Sequence, residues 1–82
     1  MNDKYFLVNT ITADGSPIPK CKGILVNNLG TTGGITFHFR NYTGGTMSAY
    51  LGFPQGNNIL SIQPYAIPTS GIGTGLTAFY IN

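Results

Sequence analysis

The run Leu76-Thr77-Ala78-Phe79-Tyr80-Ile81 constrains this chain more than any other feature, because it is apolar on both of its faces. Side chains alternate across a strand, so Leu76, Ala78 and Tyr80 point one way and Phe79 and Ile81 the other. An antiparallel strand with one face in water should instead alternate apolar with polar. Such a strand needs cover on both sides. A chain of 82 residues buries only roughly 60% of the surface it exposes when unfolded, so it can cover one side of most of its strands and little more. The expectation is that part of the cover comes from outside the chain.

The rest of the chain reads as strands and turns. No window carries apolar residues at helical spacing for three turns. β-branched and aromatic residues instead form short runs punctuated by Gly, Asn and Pro. The runs are Lys4 to Thr12, Cys21 to Leu29, Ile35 to Tyr42, Thr46 to Phe53, Ile59 to Gln63 and the closing run from Leu76. Asp14-Gly15 signals a turn, as do Gly30 to Gly34, Thr43 to Gly45 and Pro54 to Asn58, and Pro68 to Gly75 reads as a loop. Gly23 lies inside the second run as a candidate bulge. Pro17 and Pro19 lack amide donors, which bars Pro17-Ile18-Pro19 from a central strand. Ile35 to Tyr42 alternates most cleanly, with Ile35, Phe37 and Phe39 inward and Thr36, His38, Arg40 and Tyr42 outward. The expected fold is all-β: a small antiparallel β-sandwich or barrel of six to seven short strands, one domain over 1–82 with a loose start at 1–3. The expected core is Ile35, Phe37, Phe39, Met47, Ala49, Leu51, Leu60 and Ile62.

Small domains find extra support in disulfides, metals or association. A disulfide within the chain is excluded, since Cys21 is the single cysteine. A structural zinc site usually takes four Cys or His ligands, and here Cys21 and His38 are the only residues of their types. Association is the support that remains. Charge points the same way. Lys4, Lys20, Lys22 and Arg40 face Asp3 and Asp14, for a net charge of +2. Beyond Lys22 the only full charge is Arg40, whereas soluble domains are roughly a quarter charged. The basic stripe that nucleic acid requires is missing. No run approaches the roughly 18 apolar residues of a membrane helix, and Tyr5 to Val8 is too short for a signal-peptide core. No nucleic-acid or membrane partner and no cofactor are expected.

The residues that could carry chemistry do not form a recognisable constellation. His38 is the one acid/base candidate near neutral pH and lies on the polar side of its run, without an orienting carboxylate in sequence reach. Asp3 and Asp14 are a carboxylate pair, but both sit near the start of the chain in turn or terminal sequence. Cys21 is flanked by Lys20 and Lys22, which favour a thiolate, although such a cysteine more often packs as a small hydrophobe. The glycine stretches Gly30 to Gly34 and Gly71 to Gly75 lack the Gly-Lys-Ser/Thr ending of a phosphate loop and read as turn chemistry. Asn41-Tyr42-Thr43 matches a glycosylation sequon without a secretion signal beside it. The expectation is that the protein is not an enzyme. Five tyrosines among many asparagines suit either a sugar-binding surface or a protein interface. For a carbohydrate or host-glycan ligand the candidate residues are Tyr42, Tyr50 and Tyr65. For contact with partner subunits the candidates are Phe6, Val8, Phe79 and Ile81, the second apolar face of the first and last runs.

From Gly23 onward the order of a strand, a glycine turn, an aromatic strand, then Ile59-Leu60-Ser61-Ile62-Gln63-Pro64-Tyr65 and Gly73 to Tyr80 resembles small β-rich virion proteins of tailed bacteriophages. The pattern is similar to the head-spike base protein of gene transfer agents and related phage sequences. The resemblance covers about sixty residues through short apolar motifs, and the N-terminal part differs in length. It implies a non-enzymatic virion component, such as a capsid decoration, head-spike base or tail-associated subunit. Such a protein is made in the host cytoplasm and packs beside copies of itself and other virion proteins. No site residue carries over from it. The alternative is a carbohydrate- or receptor-binding β-sandwich module.

Overall fold

The structure, a computed structural model, describes residues 7–82. Six strands and no helix occur among them: β1 (Val8–Thr10), β2 (Gly23–Asn28), β3 (Gly34–Arg40), β4 (Thr46–Gly52), β5 (Gly56–Leu60) and β6 (Leu76–Ile81). They form a four-stranded sheet in the order β1-β6-β2-β5 and a two-stranded sheet of β3 and β4. Every pairing is antiparallel. The two sheets face each other across one core and neither closes into a barrel, so the fold is all-β and sandwich-like. The molecule is a slab of 38 × 34 × 18 Å. Its thin dimension accommodates two layers spaced by roughly 10 Å.

Central position decides burial. β2 and β6 each have strands on both sides, and their inward side chains Ile24, Val26, Leu76 and Ala78 are buried. Ile35 and Phe37 of β3 meet them from the other sheet, and Ile11, Ile18 and Ile67, from segments between strands, complete the same cluster. Phe37 is fully enclosed and lies beside Phe39 with ring centroids 6.2 Å apart, within the range of favourable tilted aromatic pairs. Of the expected core residues, Ile35 and Phe37 are fully buried, while Phe39, Leu51, Leu60 and Ile62 are half-buried against the core and Ala49 is half-buried. Met47 is a correction: it lies on the expected face of β4 but is 54% exposed. It sits opposite Phe39 near the outer end of an edge strand, where the facing sheet no longer covers it.

At the start of β2 the pairing with β6 runs from Gly23 opposite Ile81 to Asn28 opposite Leu76, and the Lys22 amide also donates to the Ile81 carbonyl at 2.8 Å, the two-against-one count expected of a bulge at Gly23. The glycine also meets a close approach, because a Cβ there would lie 2.5 Å from the Leu60 carbonyl oxygen. One further expectation needs revision. β5 begins earlier and ends earlier than its apolar pattern indicates. Gly56, Asn57 and Asn58 join the ladder opposite Asn28, Asn27 and Val26, although they read as a turn. Asparagine is a poor strand former, but tertiary bonds override that preference. Asn27 donates from Nδ2 to Asn57 Oδ1 across the strands at 2.8 Å, and Asn58 donates to the Pro54 carbonyl at 3.0 Å.

The buried polar residue of the core rim is Asn28, 1% exposed. Its Nδ2 donates to the carbonyls of Thr31 at 3.0 Å and Phe53 at 2.8 Å. Its Oδ1 accepts from the amides of Gly30 at 2.8 Å and Thr31 at 2.9 Å. One side chain thus closes the turn after β2 and ties it to the segment after β4.

Candidate functional site

The outward face of the four-stranded sheet follows from its register. Phe79 pairs with Thr10 on one side and Leu25 on the other, and Leu25 pairs in turn with Ile59. Residues opposite one another share a face, so Thr10, Phe79, Leu25 and Ile59 form one row across all four strands. This row lies on the side away from the core residues Ile24, Val26 and Ala78. Phe79 and Leu25 are half-buried, and Ile59 is 59% exposed. A neighbouring row places Val8, Ile81 and Gly23 in line, and another places Thr77 beside Asn27 and Asn57. An apolar band therefore crosses a face that a sheet with water on that side would make polar. Among the described residues no charged side chain lies in these rows.

The expected partner-facing residues divide on this surface. Val8 is 39% exposed and Phe79 half-buried, both on the outward face. Ile81 points the same way but is only 3% exposed, so it offers no contact surface and leaves the candidate set. Phe6 lies outside the described residues. Leu25 and Ile59, which the sequence reading did not single out, take the vacated places. Their signal was present: Ile24-Leu25-Val26 is apolar without alternation, as is Ile59-Leu60.

Free strand edges lie beside this face and on the other sheet. Among the described residues β1 and β5 are the outer strands of the larger sheet, and β4 is paired on one side only. Natural edge strands usually carry lysine, proline or a bulge that discourages further pairing. β4 reads Thr-Met-Ser-Ala-Tyr-Leu-Gly and pairs with β3 in unbroken register, with none of those devices.

The three tyrosines considered for sugar binding do not behave alike. Tyr42 is fully exposed in the β3–β4 turn, and Tyr50 on β4 is 65% exposed. Tyr65 is half-buried, and the guanidinium carbon of Arg40 stands 4.2 Å from its ring centroid. This is a cation–π contact, and it covers a ring face that a sugar would need. Arg40 and Tyr65 line a cleft of about 290 Å³ together with Ile18, Lys20, Gln63 and Pro64. A second hollow of about 290 Å³ lies beyond Ile18 and is lined by Asp14, Ser16 and Tyr80 among others.

The remaining candidates sit in turns, in a strand or against the core. Asp14 Oδ1 accepts from the Ser16 amide at 2.9 Å. That bond and the Ser16 hydroxyl hold its carboxyl below the ordinary value of 3.8. His38 is half-buried, and its main chain bonds Ala66 and Tyr65. Cys21 packs against the core cluster, as the small-hydrophobe reading expects. Asn41 Oδ1 accepts from Thr43 and Gly45, which makes the sequon asparagine a turn-closing residue. Among the described residues no three His, Cys, Asp or Glu side chains gather where a metal could bind. Comparison with protein families, curated proteins and solved structures finds no match.

Proposed function

We propose that this chain is a non-enzymatic structural subunit of a particle, working by adhesion to copies of itself and to neighbouring proteins. The observation that carries this reading is the in-register apolar row Phe79–Leu25–Ile59 on the outward face of the larger sheet. Full burial of each such side chain is worth roughly 1.5–3 kcal/mol before the costs of association are subtracted. The tailed-phage virion is the setting we propose, on the resemblance of Ile59 to Tyr65 and Gly73 to Tyr80. There a protein with few charges would be covered by repeated, symmetric contacts.

The test is the solution mass of the full chain by light scattering, for the wild type and for Ile59→Asp. Ile59 is exposed on an edge strand, so the substitution spares the core. The wild type is expected to associate at micromolar concentration, and Ile59→Asp to remain monomeric with an unchanged circular dichroism spectrum. A wild type that stays monomeric throughout that range would remove the reading. The second reading, a glycan-binding module, rests on Tyr42 and Tyr50, the most exposed aromatics among the described residues. A glycan array probed with the assembled wild type and with Tyr50→Ala tests it, and an array without a Tyr50-dependent signal discards it.

A further inference from the structure

We propose that the cleft formed by Lys20, Arg40, Gln63 and Tyr65 binds a carboxylate carried on a small ring, such as an acidic sugar. Charge is scarce in this protein, which makes its placement informative. Residues 7–82 contain three side-chain cations, Lys20, Lys22 and Arg40, and two of them line this one cleft of about 290 Å³. The single carboxylate side chain in the same stretch, Asp14, lines the other hollow and is engaged by Ser16. Two like charges thus line one site whose described lining holds no acid, and an anion in the cleft would meet both.

The walls are held in place by bonds that do not involve the charged groups. Tyr65 donates its amide to the His38 carbonyl at 2.6 Å and accepts at its own carbonyl from Ile18 at 2.7 Å. Gln63 brackets Lys20: its Oε1 accepts from the Cys21 amide at 2.6 Å, and its Nε2 donates to the Pro19 carbonyl at 3.1 Å. Pro19 and Pro64 stiffen the same two segments by fixing φ. Arg40 is orientated by the Tyr65 ring beneath it. A guanidinium held over a ring face still has N–H groups for a bidentate bond to two coplanar oxygens. Lys20 supplies a second charge without a directional demand.

The class of anion follows from what the walls offer. Phosphate sites are commonly cradles of main-chain N–H groups. Here the amides of Ile18, Cys21 and Tyr65 already have acceptors, and Pro19 and Pro64 have no N–H to give, which leaves those of Lys20 and Gln63 on these two segments. Two amides make no cradle; beside two side-chain cations they suit one carboxylate, while Ile18 and Pro64 provide apolar contact for the ring that bears it.

The experiment is an amide-detected NMR titration of the full chain, run on Ile59→Asp as well so that self-association does not enter the result. The probes are D-glucuronate, D-glucose and inorganic phosphate. Glucuronate is expected to shift the signals of Lys20, Arg40, Gln63 and Tyr65, with glucose leaving them unmoved and phosphate binding more weakly. Arg40→Gln should weaken glucuronate about tenfold and Arg40→Lys nearly as much, since a bidentate fork is lost in both. Lys20→Gln should weaken it about threefold, as an exposed charge pair would. Shifts that are absent, scattered over the surface, equal for glucose, equal or stronger for phosphate, or unaffected by these substitutions would overturn the proposal. The assembly reading stands or falls separately, because the cleft lies outside the Phe79 row.

Discussion

β3 and β4 are a matched pair with opposite fates. Each has seven residues, each alternates, and they pair one to one from Gly34 opposite Gly52 to Arg40 opposite Thr46. Yet Ile35 and Phe37 are fully enclosed, while their partners Leu51 and Ala49 are half-buried and Met47 is largely exposed. The difference lies in the neighbours. β3 is flanked on its far edge by the 65–73 segment, through His38 opposite Ala66, Ile35 opposite Ile72, and a bond from the Thr36 amide to the Gly71 carbonyl at 2.8 Å. β4 has no such flank among the described residues. Alternation states which way a side chain points. Whether anything lies over it depends on the position of the strand in its sheet, which is a property of the whole chain.

The largest expected effect breaks or confirms that contrast directly. Phe37→Ala empties the centre of the core and should cost about 3–5 kcal/mol by urea denaturation. Its counterpart Met47→Ala should cost less than about 1 kcal/mol, because little is covered there. Equal costs would mean that the face of β4 is covered in solution as fully as that of β3. At dilutions where the protein is monomeric the two should separate most clearly. In the assembled form Met47→Ala would gain weight only if a partner sits over that strand.

Asn28→Ala ranks next. It removes a side chain that bonds two carbonyls and two amides beneath the surface. The expected loss is about 2–3 kcal/mol, from partners left without a bond. Asn28→Asp keeps the acceptor but cannot donate when ionised, so it should retain the turn bonds to Gly30 and Thr31 and lose those to Thr31 and Phe53. An Asp variant as stable as the wild type would show that the tie to Phe53, which joins the β4 side of the molecule to the β2 turn, contributes nothing.

These residues also mark what the sequence could and could not disclose. The all-β class, the strands β3, β4 and β6 and the inward direction of Ile35, Phe37 and Ala78 are legible, because local alternation and glycine turns report them. The two-sided character of β6 is legible too, and the register bears it out by placing Phe79 away from the core. Burial of Ile81 is not, because alternation gives the direction of a side chain and not what lies over it. Asn57 and Asn58 resemble a turn and become strand through bonds to residues thirty positions away. Gln63 and Asn28 carry no sequence signal at all, since an amide that brackets a distant segment looks like any surface amide. The convergence of Lys20 and Arg40 is a tertiary fact of the same kind.

The smallest expected effect compares two turns, one held by a carboxylate and one by an amide. Asp14 Oδ1 accepts from the Ser16 amide at 2.9 Å, in the turn whose Gly15 amide bonds Ile67, beside the flank of β3. Asn41 Oδ1 accepts from the Gly45 amide at 2.9 Å in the turn that leads to β4. The Ser16 amide and then its hydroxyl lower the Asp14 carboxyl below 3.8. A lowered folded-state value means that the bond stabilises the fold above the unfolded value and that this contribution fades as pH falls through the folded one. The Ser16 amide resonance should therefore titrate with a midpoint below 3.8, while the Gly45 resonance stays flat. Asp14→Asn should abolish the Ser16 titration and keep the turn, because the amide oxygen still accepts. The group is fully exposed, so the change in global stability should be slight, and acid should act on the turn beside the β3 flank before it acts on the hairpin. A Gly45 signal that moved together with Ser16 would show instead that the two halves of the sandwich loosen as one.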